Sequence, residues 1–157
     1  MSVNMLMEGS DANMKVLEVS EPWGRMIIDE IKKVEVRKND PSKWGATKVG
    51  DHLNVKGGPH YNGPFEVVDV RTYKTLDDCI IAEGVRNLLP GKQTLYEAKE
   101  IYECFDGSDL DARLKRIEDY AHFGCIAIEL RPLEVAVNID LQTLEKEWKK
   151  IIESRDK

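Results

Sequence analysis

The chain has 157 residues, 41% of them hydrophobic and 33% charged, and a formal net charge of −6. That length suits one domain with a real core. The acidic balance excludes indiscriminate coating of duplex DNA, the lack of a long apolar run excludes a membrane-spanning helix, and three widely spaced cysteines without a CxxC pair exclude a disulfide framework or zinc site.

Residues 1–13 show no period and read as a disordered N-terminal extension; they have neither the basic stretch nor the apolar run of a secretory signal. With Cys79, Cys104 and Cys125 read as reduced, buried thiols, a cytoplasmic or nuclear protein is expected. "MKVLEV" (14–19) alternates like a half-buried strand. Ser20 then stands where a helix cap would, Glu21 and Pro22 suit a first turn, and Trp23, Met26, Ile27 and Ile31 form an inward face ending near Glu30. "KKVEVR" (32–37) reads as the next strand, with Lys33, Glu35 and Arg37 on one side and Val34 and Val36 on the other.

Residues 38–51 are turn-rich, "HLNVK" (52–56) alternates again, and "GGPHYNGP" (57–64) is a loop carrying His60 and Tyr61. "FEVVDVRTY" (65–73) has the strongest strand composition. Thr75 with Asp78 starts a short helix through Glu83, and "NLLPG" stops it. Thr94 with Glu97 caps a helix that places Leu95, Ala98, Tyr102 and Phe105 on one face. Ser108 with Asp111 starts another, with Leu114, Ile117 and Ala121 inward. "GCIAIEL" (124–130) reads as a buried strand, and the tail carries Leu141, Leu144, Trp148 and Ile151 or Ile152 on one stripe.

Five to six short strands interrupted by a helical insert predict an α+β fold, a small mixed β-barrel with flanking helices. The domain should cover residues 14–133. Residues 134–157 should add a C-terminal strand or loop and an amphipathic helix packed on or beside the barrel.

Charge is unevenly spread. Residues 15–60 hold nine Lys or Arg against seven Asp or Glu, whereas residues 61–157 hold fourteen against twenty. One basic district in an acidic protein suits a small anionic ligand or a short nucleic-acid segment.

Several features occur in order: "EPW" (21–23), Lys32 with Glu35 and Arg37, "KVGD" (48–51), "VVDVRTY" (67–73), "LLPG" (88–91) and a final hydrophobic strand. This succession resembles the ASCH family, a branch of the PUA-like β-barrels. Its most characteristic motif is G-x-K-x-x-E-x-R. Lys32, Glu35 and Arg37 fill the last three defined positions, while Glu30 stands where the family has Gly. The resemblance implies a PUA-like barrel with a cleft beside the first helix–strand junction, taking single-stranded RNA or a modified nucleoside or nucleotide. Some members are hydrolases that deacylate N4-acetylcytidine, and others are reported to cut RNA.

On the residues themselves, Glu35 and Arg37 share a strand face and can jointly offer an acceptor and a donor fork. Lys32 is a movable point charge, and Lys38 continues the basic district. His60 and Tyr61 form a rim that could stack on a base. The expected ligand-binding set is therefore Lys32, Glu35, Arg37, Lys38, His60 and Tyr61. In the hydrolase alternative, an amidohydrolase or ribonuclease, Lys32 is the activating base with Glu35 or Tyr73 assisting. Against it, Glu35 stands where the amidohydrolase members have Thr, and a carboxylate there favours protonated lysine. No metal or cofactor is expected, because the histidines lack ligand spacing. A third reading is an adaptor that meets a protein partner through the C-terminal helix.

Overall fold

The computed structural model of the protein describes residues 14–59, 61–104, 109–133, 146 and 148–153. Chain contacts gather Lys15–Pro132 into one unit and Met1–Met14 with Leu133–Lys157 into another. In the second, residues 148–153 are helical and expose Trp148, Ile151 and Ile152. The extension at 1–13, His60, Phe105, Ser108, Leu141 and Leu144 all lie outside the described residues. Among the described residues no helix is long and apolar enough to cross a membrane.

The larger unit begins with β1 (Lys15–Glu18), α1 (Trp23–Ile28) and β2 (Val34–Lys38), then a single 3-10 turn at Trp44–Ala46. Strands β3 (His52–Lys56) and β4 (Asn62–Tyr73) follow. The helical insert is α2 (Leu76–Glu83), α3 (Val85–Leu88), α4 (Leu95–Cys104) and α5 (Leu110–Phe123), and β5 (Cys125–Pro132) closes the unit. The five strands form one curled half-barrel sheet in the order β1-β3-β4-β5-β2. This is the mixed α+β, PUA-like architecture expected from the sequence.

Only β1 and β3 run parallel; every other neighbouring pair is antiparallel. Register slips between Val67 and Asp69 of β4, and the extra residue bends that long strand. Alternation along β5 divides the core. Cys125 and Ala127 pack with Val34, Val36 and the insert, including Ile80, Leu88 and Tyr102. Ile126, Ile128 and Leu130 face the barrel interior with Leu17, Val55 and Val67. Trp23 packs against both groups.

Two of the sequence-predicted caps are made. Thr75 accepts from the Asp78 N–H, and Thr94 and Glu97 exchange hydrogen bonds at 3.1 and 3.2 Å. Others differ. The first helix starts after Pro22 with no side-chain cap, behind a cis Glu21–Pro22 peptide, and Ser20 contributes its carbonyl to Gly24 N–H instead. Ile31 is exposed. Helix α5 is capped by Asp109, and it is rotated from the expected orientation: Leu114, Ile117 and Ala121 face solvent, while Arg113, Arg116, Asp119 and Tyr120 turn toward the protein. The reason is charge pairing. Arg113 reaches Glu103 at 3.2 Å and Asp119 reaches Lys38 at 2.7 Å, so partners already waiting on α4 and β2 select the polar face.

Helix α1 is seated by two glycines. A Cβ on Gly57 would lie 2.4 Å from the carbonyl carbon of Gly24, a separation no side chain survives. Gly57→Ala is therefore expected to lower stability by about 1–3 kcal/mol, the scale of overpacking. The reading is a lower urea midpoint with unchanged slope; an unchanged midpoint would show that the helix can move away freely.

Candidate nucleotide-binding cleft

Glu30, just before β2, has φ 61°. This is the left-handed region that disfavours side chains, which gives a backbone reason for glycine at that place in the motif. The turn delivers Lys32 inward rather than outward. Its side chain is 0% exposed. The Nζ donates to the Val34 carbonyl and, at 2.5 Å, to the Leu88 carbonyl on α3, and it stands 3.4 Å from Glu35 Oε1. An ammonium has three donors, and here each meets an acceptor.

Glu35 is the second buried charge. Its register partner is Ile128, so it starts on the barrel-interior side of β2. Its Oε1 accepts from Val36 N–H at 3.1 Å, and its Oε2 accepts from Arg37 Nη2 at 3.0 Å. The charged side of "KKVEVR" is thus no solvated strand face: Lys33 is exposed, but Glu35 is buried. Burial lowers the Lys32 pKa from its ordinary value, with Glu35 opposing. Burial pushes the Glu35 carboxyl up, but the charges of Lys32 and Arg37 and the Val36 N–H outweigh it, holding the carboxyl below its usual range.

Arg37 carries this chain outward. Its Nη2 also donates to the Glu18 carbonyl at 2.5 Å. Because β1 and β2 are the two edges of the sheet, that bond spans the open seam of the half-barrel. The motif is a clasp: Lys32 and Glu35 hold Arg37, and Arg37 ties one edge to the other.

Beside Arg37, at the C-terminal end of β2, lies a cleft of about 160 Å³. Arg37 and Lys38 border it from β2, Asp40, Lys43 and Trp44 from the following loop, Tyr102 from α4, and Arg116 and Tyr120 from α5. Sites enclosing drug-sized ligands measure roughly 300–1,000 Å³, so this one has room only for a single ring or a phosphate-sized group. Four basic residues and one carboxylate line it; of these, Arg37 is paired with Glu35 and Lys38 with Asp119, and Asp40 accepts from Ser42 N–H and O–H at 2.9 and 2.7 Å. Tyr102 is 2% exposed, and its hydroxyl has no hydrogen-bond partner among the described residues. Burial, reinforced by the nearby Glu35 charge, raises its pKa well above 10, so it keeps a proton to donate. Lys15 Nζ sits 4.0 Å from the Trp44 ring centroid without bordering the cleft, and braces the indole from outside.

The remaining expected residues are scattered. Lys38 borders the cleft but pairs with Asp119. Tyr61 lies on the β3–β4 loop under Arg25, 4.8 Å from ring centroid to guanidinium. Tyr73 donates to Glu83 Oε2 at 2.5 Å, not to Lys32 or Glu35; burial and that bond push its pKa up to about 12. Glu83 in turn is held by Arg71, which also binds Asp69 and Glu129. The junction of α1 and β2 has its own hollow of about 270 Å³, lined in part by Glu30, Lys33, Glu129 and Arg131. Three basic residues, Lys32, Lys33 and Arg131, and two acidic ones, Glu30 and Glu129, are among its lining.

Sequence reading missed Asp40, Lys43, Tyr102, Arg116 and Tyr120 as neighbours of Arg37. Tyr102 looked like core, and Arg116 and Tyr120 lay on the helix face taken as outward. One signal existed: Arg113, Arg116 and Tyr120 recur at helical spacing beside the aliphatic stripe.

A family model described as the ASCH domain matches residues 17–106. The crystal structure of hypothetical protein PH0355 is 25% identical, with a TM-score of 0.57 over 76% of this chain and 100% of that one. The solution NMR structure of protein PF0455 from Pyrococcus furiosus is 27% identical, with a TM-score of 0.54 over 76% of this chain and 98% of that one. No curated protein matches the chain.

Proposed function

The chain belongs to the ASCH domain family, and from that footing we propose that it is a binding domain for single-stranded RNA or a nucleotide, using the cleft at the end of β2. The carrying observation is the union in one small cleft of four basic residues, Arg37, Lys38, Lys43 and Arg116, with Trp44. Cations answer phosphate and an aromatic face answers a base. Arg37 is the one family-motif residue that borders the cleft; Lys32 and Glu35 act through it as positioning residues.

The hydrolase alternative asks Lys32 to accept a proton. An amine that serves as base must aim a lone pair at water or substrate. Here the nitrogen is enclosed, and its three donor directions end on Val34 O, Leu88 O and Glu35. Binding is the better-supported reading.

Titration with a short oligouridylate at several salt concentrations tests it. Affinity should fall as salt rises, and Lys43→Ala and Arg116→Ala should each reduce the slope of log affinity against log salt by about one contact. Binding with no salt dependence, or with slopes that both variants leave unchanged, contradicts this siting.

A further inference from the structure

We infer that Lys32, Glu35 and Arg37 together guard the open seam of the half-barrel. Their side chains occupy backbone groups at which another strand would add, and so keep two copies of this chain from joining edge to edge. This stands independently of the nucleotide reading above.

Strand geometry decides which groups face the seam, because the backbone groups of successive residues in a ladder point to opposite sides. Leu130 N–H donates to Lys33 O at 2.8 Å and Asn39 N–H donates to Gly124 O at 3.0 Å. Lys33, Glu35, Arg37 and Asn39 therefore turn their backbone groups toward β5, and Val34 and Val36 turn theirs to the free edge of β2. On β1, Val19 N–H donates to Lys56 O at 2.9 Å. Leu17 and Val19 thus turn toward β3, and Val16 and Glu18 turn away from it.

The motif meets these outward groups with side chains. Lys32 Nζ donates to Val34 O, Glu35 Oε1 accepts from Val36 N–H at 3.1 Å, and Arg37 Nη2 donates to Glu18 O at 2.5 Å. Both edges of the sheet are engaged, and the three residues are the three ionised members of one motif.

A bare strand edge is a template for pairing with another chain. Here an incoming strand would have to replace bonds made by ionised groups, which are roughly twice as strong as the neutral backbone bonds it could offer. It would also have to part Arg37 from the buried Glu35 carboxylate, 3.0 Å away. The exchange is unfavourable on both edges. Without Arg37, β1 would present its outward backbone beside the exposed Val16 side chain, and a matching edge on a second copy could pair with it.

The test is sedimentation velocity on the full chain from micromolar to millimolar concentration, joined to amide hydrogen exchange. Arg37→Met keeps much of the apolar stem and loses the guanidinium. It should self-associate at least tenfold more tightly than wild type, with the Val16 and Glu18 amides gaining protection in the associated form. Val16→Pro removes one outward N–H at an edge position, where proline is tolerated. Added to Arg37→Met, it should return association to the wild-type level. Should Arg37→Met lose cooperative unfolding, the same results are expected of Arg37→Gln, which keeps a donor for Glu35 on a shorter side chain. A folded variant that associates no more than wild type would overturn the inference and leave the triad a purely internal pairing. So would association that leaves the Val16 and Glu18 amides unprotected and persists with Val16→Pro.

Discussion

Glu35→Ala is expected to destabilise the fold by about 3–5 kcal/mol, the scale for removing one partner from a buried charge pair. The carboxylate is nearly inaccessible and stands between two cations. Without it, the Lys32 ammonium remains buried beside Val34 O and Leu88 O with no counter-charge, and Arg37 loses the anion that aims it across the seam toward Glu18. A lower urea midpoint measures the effect; a change under about 0.5 kcal/mol, typical of surface substitutions, would contradict it. The pH dependence has a definite sign. In the folded state the Glu35 pKa lies below its ordinary value of 4.5, so between the two the unfolded chain binds more protons and stability rises with pH. This contribution is complete above the ordinary value and is lost as pH falls through the folded one. Glu35→Gln should therefore flatten the acid limb of stability against pH.

Trp44→Leu is expected to weaken nucleotide binding by about 1–3 kcal/mol, roughly 5- to 150-fold, the scale for one base–aromatic stack. The indole borders the cleft and is braced by Lys15. Leucine keeps much of the apolar packing that Trp44 makes beside the interior core but offers no π-face. Trp44→Tyr should retain most of the affinity, separating stacking from bulk. Equal affinity for wild type and Trp44→Leu in a fluorescence or calorimetric titration would remove Trp44 from the site.

Much of the fold was legible because its signals are local. Alternation at 52–56 and 65–73 and the Thr75 and Thr94 caps report short-range backbone chemistry, which needs no knowledge of the partner element. Helix α5 was misread because two faces compete: Leu114 and Ile117 argue for one, while Arg116 and Tyr120 are drawn in by Glu103 on α4 and a cleft that exists only after folding. The short α3 (Val85–Leu88) runs into the start of "NLLPG" (87–91), and four residues have no periodicity to display.

The candidate site was half legible. Spacing and order singled out Lys32, Glu35 and Arg37, but spacing does not tell a floor from a foundation. Burial does. Lys32 and Glu35 lie beneath the surface, and Arg37 alone of the three borders the cleft. The residues around it come from β2, the 38–51 loop, α4 and α5, and no sequence interval links them.

The most direct measurement is chemical-shift mapping of the protein during titration with uridine 5′-monophosphate. The largest shifts are expected at Arg37, Lys43, Trp44, Tyr102, Arg116 and Tyr120, closing a ring around the end of β2. Shifts centred on Glu30, Lys33 and Arg131 at the helix–strand junction, with that ring unmoved, would contradict the account.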